Sequence, residues 1–232
     1  MDTPEPLVYL VDYDPGALKS MARLLQAESL QVAPFASAES FLRAHDPGRA
    51  GCAVLDMCMP GLDGLALQQQ LQRGGDARAI VFVTDHREVE QGVRAMKAGA
   101  IDFLIKPLDA AEFVGAVMRA LAHDAHERAV RCELQRLRGH LASLTQREQQ
   151  VLRHVVSGRL NKQIASDLGI AEKTIKVHRA RVMEKMGAAS LAQLVRETVA
   201  LEADADVWHE RVNGHTEHHV SGVSLAHGPL VQ

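Results

Sequence analysis

The chain has 232 residues, of which 47% are hydrophobic, and its formal net charge is −3. This apolar content supports real cores and excludes a chain that is disordered as a whole. No apolar run approaches the roughly 20 residues of a membrane span, and the N-terminus lacks the basic region of a signal peptide. The three cysteines form no CxxC pair, which fits a reducing compartment. We therefore expect a cytosolic protein with no membrane partner.

Charge is unevenly distributed along the chain. Residues 1–124 hold 11 Lys and Arg against 17 Asp and Glu, whereas residues 141–200 hold 10 against 5. Such asymmetry is expected when one part of a protein binds a cation and another part meets a polyanion. Random variation of the surface is the alternative on charge alone.

Residues 7–107 alternate short apolar runs with segments of helical spacing. The runs predict buried strands at LVYLV (7–11), LQVAPF (30–35), CAVLD (52–56), AIVFVT (79–84) and AIDFLI (100–105). The segments between them predict helices at 16–28, 38–44, 65–71 and 89–98. Strands that alternate with helices in this way indicate an α/β fold, a five-stranded parallel sheet covered on both faces.

The rest of the chain reads as helical up to about residue 203. A long helix is predicted from Asp109 to about Gly139, either as a plain linker or as a short dimer seam. Thr145 and Glu148 have the spacing of a capping box, and further helices are predicted at 161–168, 171–186 and 190–203. The residues beyond lack periodicity and include HTEHH (215–219). We expect a mostly disordered, solvated tail there, in preference to a weak metal site.

Four residues with useful chemistry end strands of the predicted sheet. Asp12 and Asp56 end the first and third strands, Thr84 ends the fourth, and Lys106 ends the fifth. The carboxyl ends of parallel strands meet at one edge, where ligands bind. Carboxylates suit Mg²⁺, a lysine and a hydroxyl can stabilise a transferring phosphoryl group, and an aspartate can be the nucleophile.

Residues 7–122 resemble a response-regulator receiver domain, which has a flavodoxin-like fold. The resemblance rests on VD (11–12), VLDMCMPGLDG (54–64), FVT (82–84) and MKAGAIDFLIKP (96–107). It implies that Asp56 accepts a phosphoryl group and that Asp12, Asp56 and the backbone carbonyl of Cys58 hold Mg²⁺. It also implies that Thr84 and Lys106 contact the phosphoryl oxygens, that Phe103 moves with Thr84, and that the Lys106–Pro107 bond is cis.

Tyr13 departs from the pattern of the family, which usually has two adjacent acids at positions 12 and 13. A protonated phenol is a poor ligand for Mg²⁺. Three readings remain open: phosphorylation persists with weaker metal binding, Asp14 substitutes as a ligand, or the domain is no longer switched by phosphate. Loss of one acid also relieves repulsion and so favours an active-like state without phosphate.

Residues 161–186 have the form of a helix–turn–helix. On the second helix Ile175, Val182 and Met186 form one stripe that should be buried. The opposite face carries long cations around a small apolar patch, which suits a DNA major groove. An ordinary amphipathic helix with a solvated basic face is the alternative.

Residues 143–200 resemble the LuxR-type DNA-binding domain through LTQREQQVL, GRLNKQIASDLGI and TIKVHRARVMEKMGA. With the receiver, the architecture resembles the FixJ/NarL class of transcription regulators. This resemblance implies that Lys176, Val177 and Ala180 face base edges. The predicted DNA-contacting set is Lys162, Lys173, Thr174, Lys176, Val177, Ala180 and Arg181. Ala171 stands where a serine often caps the recognition helix.

We therefore predict a receiver domain at 1–122, a helical linker at 123–140, an all-α helix–turn–helix domain at 141–203 and a tail at 204–232. The predicted function is transcription regulation, in which a sensor histidine kinase phosphorylates Asp56 and thereby promotes homodimerisation and binding to promoter DNA. RNA polymerase is a further expected partner. The alternative is a regulator independent of phosphorylation. An Asp-nucleophile phosphatase is disfavoured, because no segment is left to build a substrate pocket, so we expect no enzyme.

Overall fold

The computed structural model describes residues 5–85 and 89–213. The chain divides into two compact units, Met1–Arg131 and Cys132–Gln232. None of the described helices combines the length and the hydropathy that a membrane span requires.

The first unit is built on five parallel strands in the order β2-β1-β3-β4-β5, which confirms the predicted sheet. The strands are β1 (Leu7–Val11), β2 (Gln31–Phe35), β3 (Gly51–Asp56), β4 (Ala79–Thr84) and β5 (Asp102–Ile105). Strands β1 and β3 are neighbours, and Val11 lies opposite Leu55. The residues that follow them, Asp12 and Asp56, therefore reach the same edge of the sheet.

Helices cover both faces of this sheet. They are α1 (Pro15–Ala27), α2 (Ala38–Ala44), α3 (Gly64–Arg73), α4 (Val89–Lys97) and the first part of α5 (Ala110–Ala142). Along β1, Val8 and Leu10 pack with α1 and α5, whereas Tyr9 and Val11 pack with α2 and α3. Each large apolar side chain buried in this way contributes roughly 1.5–3 kcal/mol of transfer free energy.

Local sequence signals start the helices directly after the loops at the strand ends. Asp14 caps α1 and Pro15 occupies its first turn. Ser37 forms a capping box on α2, and the side chain of Asp63 accepts a hydrogen bond from Ala66 N at the start of α3. These caps fix the course of the chain on either side of the carboxylate-bearing edge.

The second unit consists of helices around one core. After the end of α5 come α6 (Gln146–Val156), α7 (Asn161–Leu168), α8 (Glu172–Met186) and α9 (Leu191–Asn213). The core contains Leu144, Val151, Leu152, Val155, Ile164, Ile175, Val182, Met186, Ala188 and Leu194. Thr145 and Glu148 form the predicted capping box on α6.

Two predicted helix ends are wrong. Helix α5 passes Gly139 and ends at Ala142, and α9 passes residue 203 and ends at Asn213. Residues 204–213 contain neither Gly nor Pro, and Gly214 is the first residue to interrupt them, so nothing in that stretch stops a helix. The expected disorder was therefore wrong for 204–213. The remaining tail, including HTEHH, lies outside the described residues.

Candidate carboxylate site and nucleic-acid interface

The strand ends bring the predicted charged residues together. Asp12, Asp56 and Thr84 are buried, each at most 2% exposed, and Lys106 N donates a hydrogen bond to the Thr84 carbonyl over 2.8 Å. The side chain of Lys106 extends to the carboxylates, with its Nζ 2.7 Å from Asp12 Oδ2 and 3.6 Å from Asp56 Oδ1. Sequence reasoning thus placed these groups correctly at one edge. The Lys106–Pro107 peptide bond is cis, as predicted.

Asp85 is a fourth charged residue that sequence reasoning missed. Its Oδ2 lies 4.0 Å from Lys106 Nζ. The sequence contains the signal that predicts its position, because Asp85 directly follows the last residue of β4, just as Asp12 directly follows β1. The rule that gathered the other strand ends applies equally to it.

The Asp56 carboxylate lies in an unusual environment. Among the residues described, neither of its oxygens has a hydrogen-bond partner, although buried carboxylates normally have one. Burial raises the pKa of Asp56; the Lys106 ammonium opposes this rise, and the Asp12 and Asp85 charges add to it. Burial acts to lower the pKa of Lys106, but the hydrogen bond to Asp12 and the charges of Asp56, Asp12 and Asp85 raise it overall. Lys106 therefore remains a cation.

A divalent cation is compatible with these residues. The described residues contain no cluster of three or more His, Cys, Asp or Glu side chains that could hold a metal. Mg²⁺ does not need such a cluster, because it keeps several waters and commonly binds through one or two carboxylates. Asp12 and Asp56 are two carboxylates of that kind, and the Asp56 oxygens, which lack hydrogen-bond partners among the described residues, are suitable ligands for a cation.

Tyr13 and Asp14 contribute differently. The Tyr13 side chain is 47% exposed. The Asp14 carboxylate accepts a hydrogen bond from Gly16 N over 2.8 Å and caps α1, while Asp14 N donates to Asp12 Oδ1 over 2.8 Å. The backbone N–H of Asp14 therefore positions the Asp12 carboxylate, and the side chain of Asp14 caps the start of α1.

Phe103 packs partly buried beside α4. A Cβ atom added at Gly92 would lie 3.2 Å from Phe103 Cε1, so the glycine leaves room for the ring. The Phe103 ring on β5 therefore lies close to α4.

Helix α8 presents the predicted two faces. Ile175, Val182 and Met186 are fully buried, as expected. The predicted DNA-contacting residues are all exposed: Lys162 on α7, and Lys173, Thr174, Lys176, Val177, Ala180 and Arg181 on α8. Ala171 stands at the N-cap without a side-chain hydrogen bond, in agreement with the missing serine.

Two polar contacts hold α8 in place. Arg179 Nη1 donates to Asn161 Oδ1 over 3.3 Å, which joins α8 to α7. Lys185 Nζ donates to Glu148 Oε2 over 2.7 Å, which joins it to α6. The exposed basic face is thus carried by a helix fixed on both sides.

Family models match most of the chain. Residues 8–118 match the response regulator receiver domain, and residues 142–198 match the bacterial regulatory proteins of the luxR family. The chain is a response regulator.

The response regulator has relatives that match it along most of their length. It is 43% identical over 194 residues to the transcriptional regulatory protein FixJ of Azorhizobium caulinodans, and the match covers 83% of this chain and 92% of the relative. It is 39% identical over 196 residues to the response regulator protein TodT of Pseudomonas putida, and the match covers 84% of this chain and 86% of the relative. The first relative is named as a transcriptional regulatory protein and the second as a response regulator protein.

Solved structures agree with this assignment. The response regulator StyR has a TM-score of 0.77 and 43% identity, covering 84% of this chain and 98% of that one. Full-length FixJ from B. japonicum has a TM-score of 0.53 and 35% identity, covering 85% and 98%. The response regulator thus combines a receiver with a LuxR-type DNA-binding domain and regulates transcription.

Proposed function

We propose that a sensor histidine kinase phosphorylates the response regulator on Asp56 and that phosphorylation promotes dimerisation and binding to promoter DNA. The proposed domains are the receiver at 1–122 and the DNA-binding domain at 141–203, joined by a helical linker at 123–140, with a tail at 204–232. The observation that carries the proposal is the buried Asp56 carboxylate, whose oxygens lack hydrogen-bond partners among the described residues and which lies beside the Lys106 ammonium.

The proposed chemistry is transfer of a phosphoryl group from phosphohistidine. An Asp56 oxygen attacks phosphorus, the P–N bond breaks, and the imidazole keeps its electron pair while Asp56 becomes an acyl phosphate. Lys106 and the Thr84 hydroxyl then stabilise the charge on the phosphoryl oxygens. Mg²⁺, held by Asp12, Asp56 and the Cys58 carbonyl, would supply further neutralisation of charge when bound. Exposed Tyr13 adds no carboxylate, so we expect this metal to bind weakly.

The signal would leave the site through Thr84 and Phe103. Because the Phe103 ring packs beside α4 and leaves little room for a Cβ atom at Gly92, movement of the ring would change the packing of α4 against β5. Val93, Met96 and Ile105 are large apolar residues exposed on these two elements. A second copy of the chain that covers them would remove this apolar surface from water.

The output would be the placement of α8 in the major groove of DNA. Lys176, Val177 and Ala180 would face base edges, while Lys162, Lys173, Thr174 and Arg181 would contact the backbone and its surroundings. Two linked domains bind far more tightly than one, because the second binds at a high effective concentration. Bound at a promoter in the cytoplasm, the dimer would contact RNA polymerase.

Tyr13 favours a second function, regulation of transcription without phosphate. The residue replaces an acid that the family usually supplies, and a neutral phenol is a poor ligand for Mg²⁺. In this case Asp56 would remain unmodified, and a protein partner would control the DNA-binding domain.

Intact-protein mass after incubation with acetyl phosphate and Mg²⁺ separates the two functions. We expect one added phosphoryl group on the wild type and none on Asp56→Asn. Labelling of Tyr13→Asp alone would contradict the first proposal and support the second. Absence of labelling in the wild type, Asp56→Asn and Tyr13→Asp would also contradict the first proposal.

A further inference from the structure

Asp85 lies at the mouth of the carboxylate site. Its side chain is 56% exposed, whereas the side chains of Asp12 and Asp56 are at most 1% exposed. Its Oδ2 is 4.0 Å from Lys106 Nζ. Of the three carboxylates around this ammonium, Asp85 is therefore the one that faces solvent and an incoming donor.

Three carboxylates thus share one cation. The hydrogen bond of Lys106 goes to Asp12 at 2.7 Å, and Asp56 and Asp85 follow at 3.6 and 4.0 Å. The phosphoryl group that arrives at Asp56 is itself an anion and needs the same ammonium. Asp85 already draws on the charge of Lys106 and adds a negative charge close to the path of the donor.

We propose that Asp85 is an electrostatic brake on the phosphorylation of Asp56, a residue that competes for Lys106 and repels anionic phosphodonors. This inference rests on the proposed function of Asp56. Asp85 takes no part in the bond changes, and it acts on their rate through Lys106 and through its own charge.

The balanced step makes the expected effect clear. With acetyl phosphate, an Asp56 oxygen attacks phosphorus, the bond from phosphorus to the acetate oxygen breaks, and acetate leaves with the electron pair. Negative charge stays on the phosphoryl oxygens throughout, close to Lys106. Removal of the Asp85 charge lowers the repulsion and leaves the ammonium freer for these oxygens.

A different role for Asp85 would be to replace the metal-binding acid that is missing at Tyr13. The geometry argues against this role, because the Asp85 side chain is 56% exposed and lies outside the buried pair of Asp12 and Asp56. Its Oδ2 instead lies within ion-pair distance of Lys106 Nζ. The two roles predict opposite changes in rate, since a lost metal ligand slows the transfer.

The test compares wild type, Asp85→Asn and Glu28→Gln. Glu28 is exposed at the C-terminal end of α1, so its substitution changes the net charge equally without touching Lys106. The initial rate of labelling by acetyl phosphate is read by intact mass, and Mg²⁺ binding is read by the rise in Tm that the metal causes. We expect Asp85→Asn to label roughly three- to tenfold faster than the other two, with Mg²⁺ still raising its Tm.

The dependence of the labelling rate on ionic strength distinguishes an electrostatic role of Asp85 from a merely structural one. Because Asp85 is exposed, salt screens its charge. The ratio of the Asp85→Asn rate to the wild-type rate should therefore fall towards one as KCl is added.

The outcomes keep the two proposals apart. If the wild type is labelled and Asp85→Asn is labelled at the same rate, the brake is overturned and the proposed function stands. Slower labelling with a smaller Mg²⁺ effect on Tm would overturn the brake and make Asp85 a metal ligand. If wild type, Asp85→Asn and Tyr13→Asp all remain unlabelled, the proposed function fails, and the brake is overturned with it because its removal releases no reaction.

Discussion

Lys106 compensates charge in the interior of the receiver. Asp12 and Asp56 are buried, and burying carboxylates is costly unless they are paired. The Lys106 ammonium lies within 4.0 Å of both. The same side chain that is proposed to stabilise a phosphoryl group therefore stabilises the unmodified protein.

Substitution of Lys106 tests this stabilising role. We expect Lys106→Met to lower the free energy of unfolding by roughly 2–4 kcal/mol, since it leaves two buried carboxylates uncompensated. Urea unfolding in the presence of EDTA measures the loss, and hydrogen exchange in β1 and β3 peptides assigns it to the receiver. Lys97→Met, an exposed position on α4, is the control. Equal stability of the two variants would contradict the role.

Sequence patterns identified most residues of the site but not their individual tasks. Asp12, Asp56 and Lys106 follow from the rule that parallel strands end at a common edge. That Asp14 caps α1 depends on how the chain turns after Val11, which a strand pattern does not specify. The same rule covers Asp85, which directly follows β4, but a prediction that ends this strand at the Thr84 hydroxyl leaves the next carboxylate out.

The contact between α6 and α8 is an electrostatic element of the DNA-binding unit. Glu148 is buried, closes the capping box with Thr145 N over 2.9 Å and accepts a hydrogen bond from Lys185 Nζ over 2.7 Å. The hydrogen bond from Lys185, with that from Thr145 N, lowers the pKa of Glu148 from 4.5 to about 2. One carboxylate thus fixes both the start of α6 and the end of α8.

This lowered pKa predicts a pH dependence. The folded unit favours ionised Glu148, so this residue contributes fully to the free energy of unfolding above pH 4.5. As the pH falls from 4.5 to about 2, the unfolded chain takes up the proton before the folded chain does, and the contribution is lost. Glu148→Gln should be less stable at neutral pH and should lose less stability on acidification. Urea midpoints from neutral to acidic pH measure both effects. Glu202→Gln, an exposed change on α9, should keep the wild-type slope, and an unchanged slope in Glu148→Gln would refute the assignment.

Elements with strong periodicity were predicted closely, and errors lie at the helix ends. All five strands of the sheet and helix α2 agree with their predicted ranges to within two residues. Gly139 did not end α5, because a single glycine costs a helix only about 1 kcal/mol, and the residues around it continue the pattern. Residues 204–213 were read as irregular for lack of periodicity, although nothing in them breaks a helix.

At the scale of the whole molecule, the acidic and basic halves correspond to two different tasks. The excess of acids belongs to the receiver, where Asp12, Asp56 and Asp85 surround one lysine. The excess of cations belongs to the helical unit, where exposed lysines line α8. Charge counts alone left random variation open, whereas in the fold the acids of the receiver gather around Lys106 and the lysines of α8 lie on one exposed helix.

The proposed regulation couples these two tasks, so the most direct test of the central claim is DNA affinity with and without phosphate on Asp56. Fluorescence anisotropy would use a duplex selected by the protein from random sequences, with wild type and Asp56→Asn measured before and after treatment with acetyl phosphate and Mg²⁺. We predict about 10- to 100-fold tighter binding by treated wild type and no change in Asp56→Asn. Equal affinity of treated and untreated wild type, with the phosphoryl group confirmed by mass, would contradict phosphorylation control.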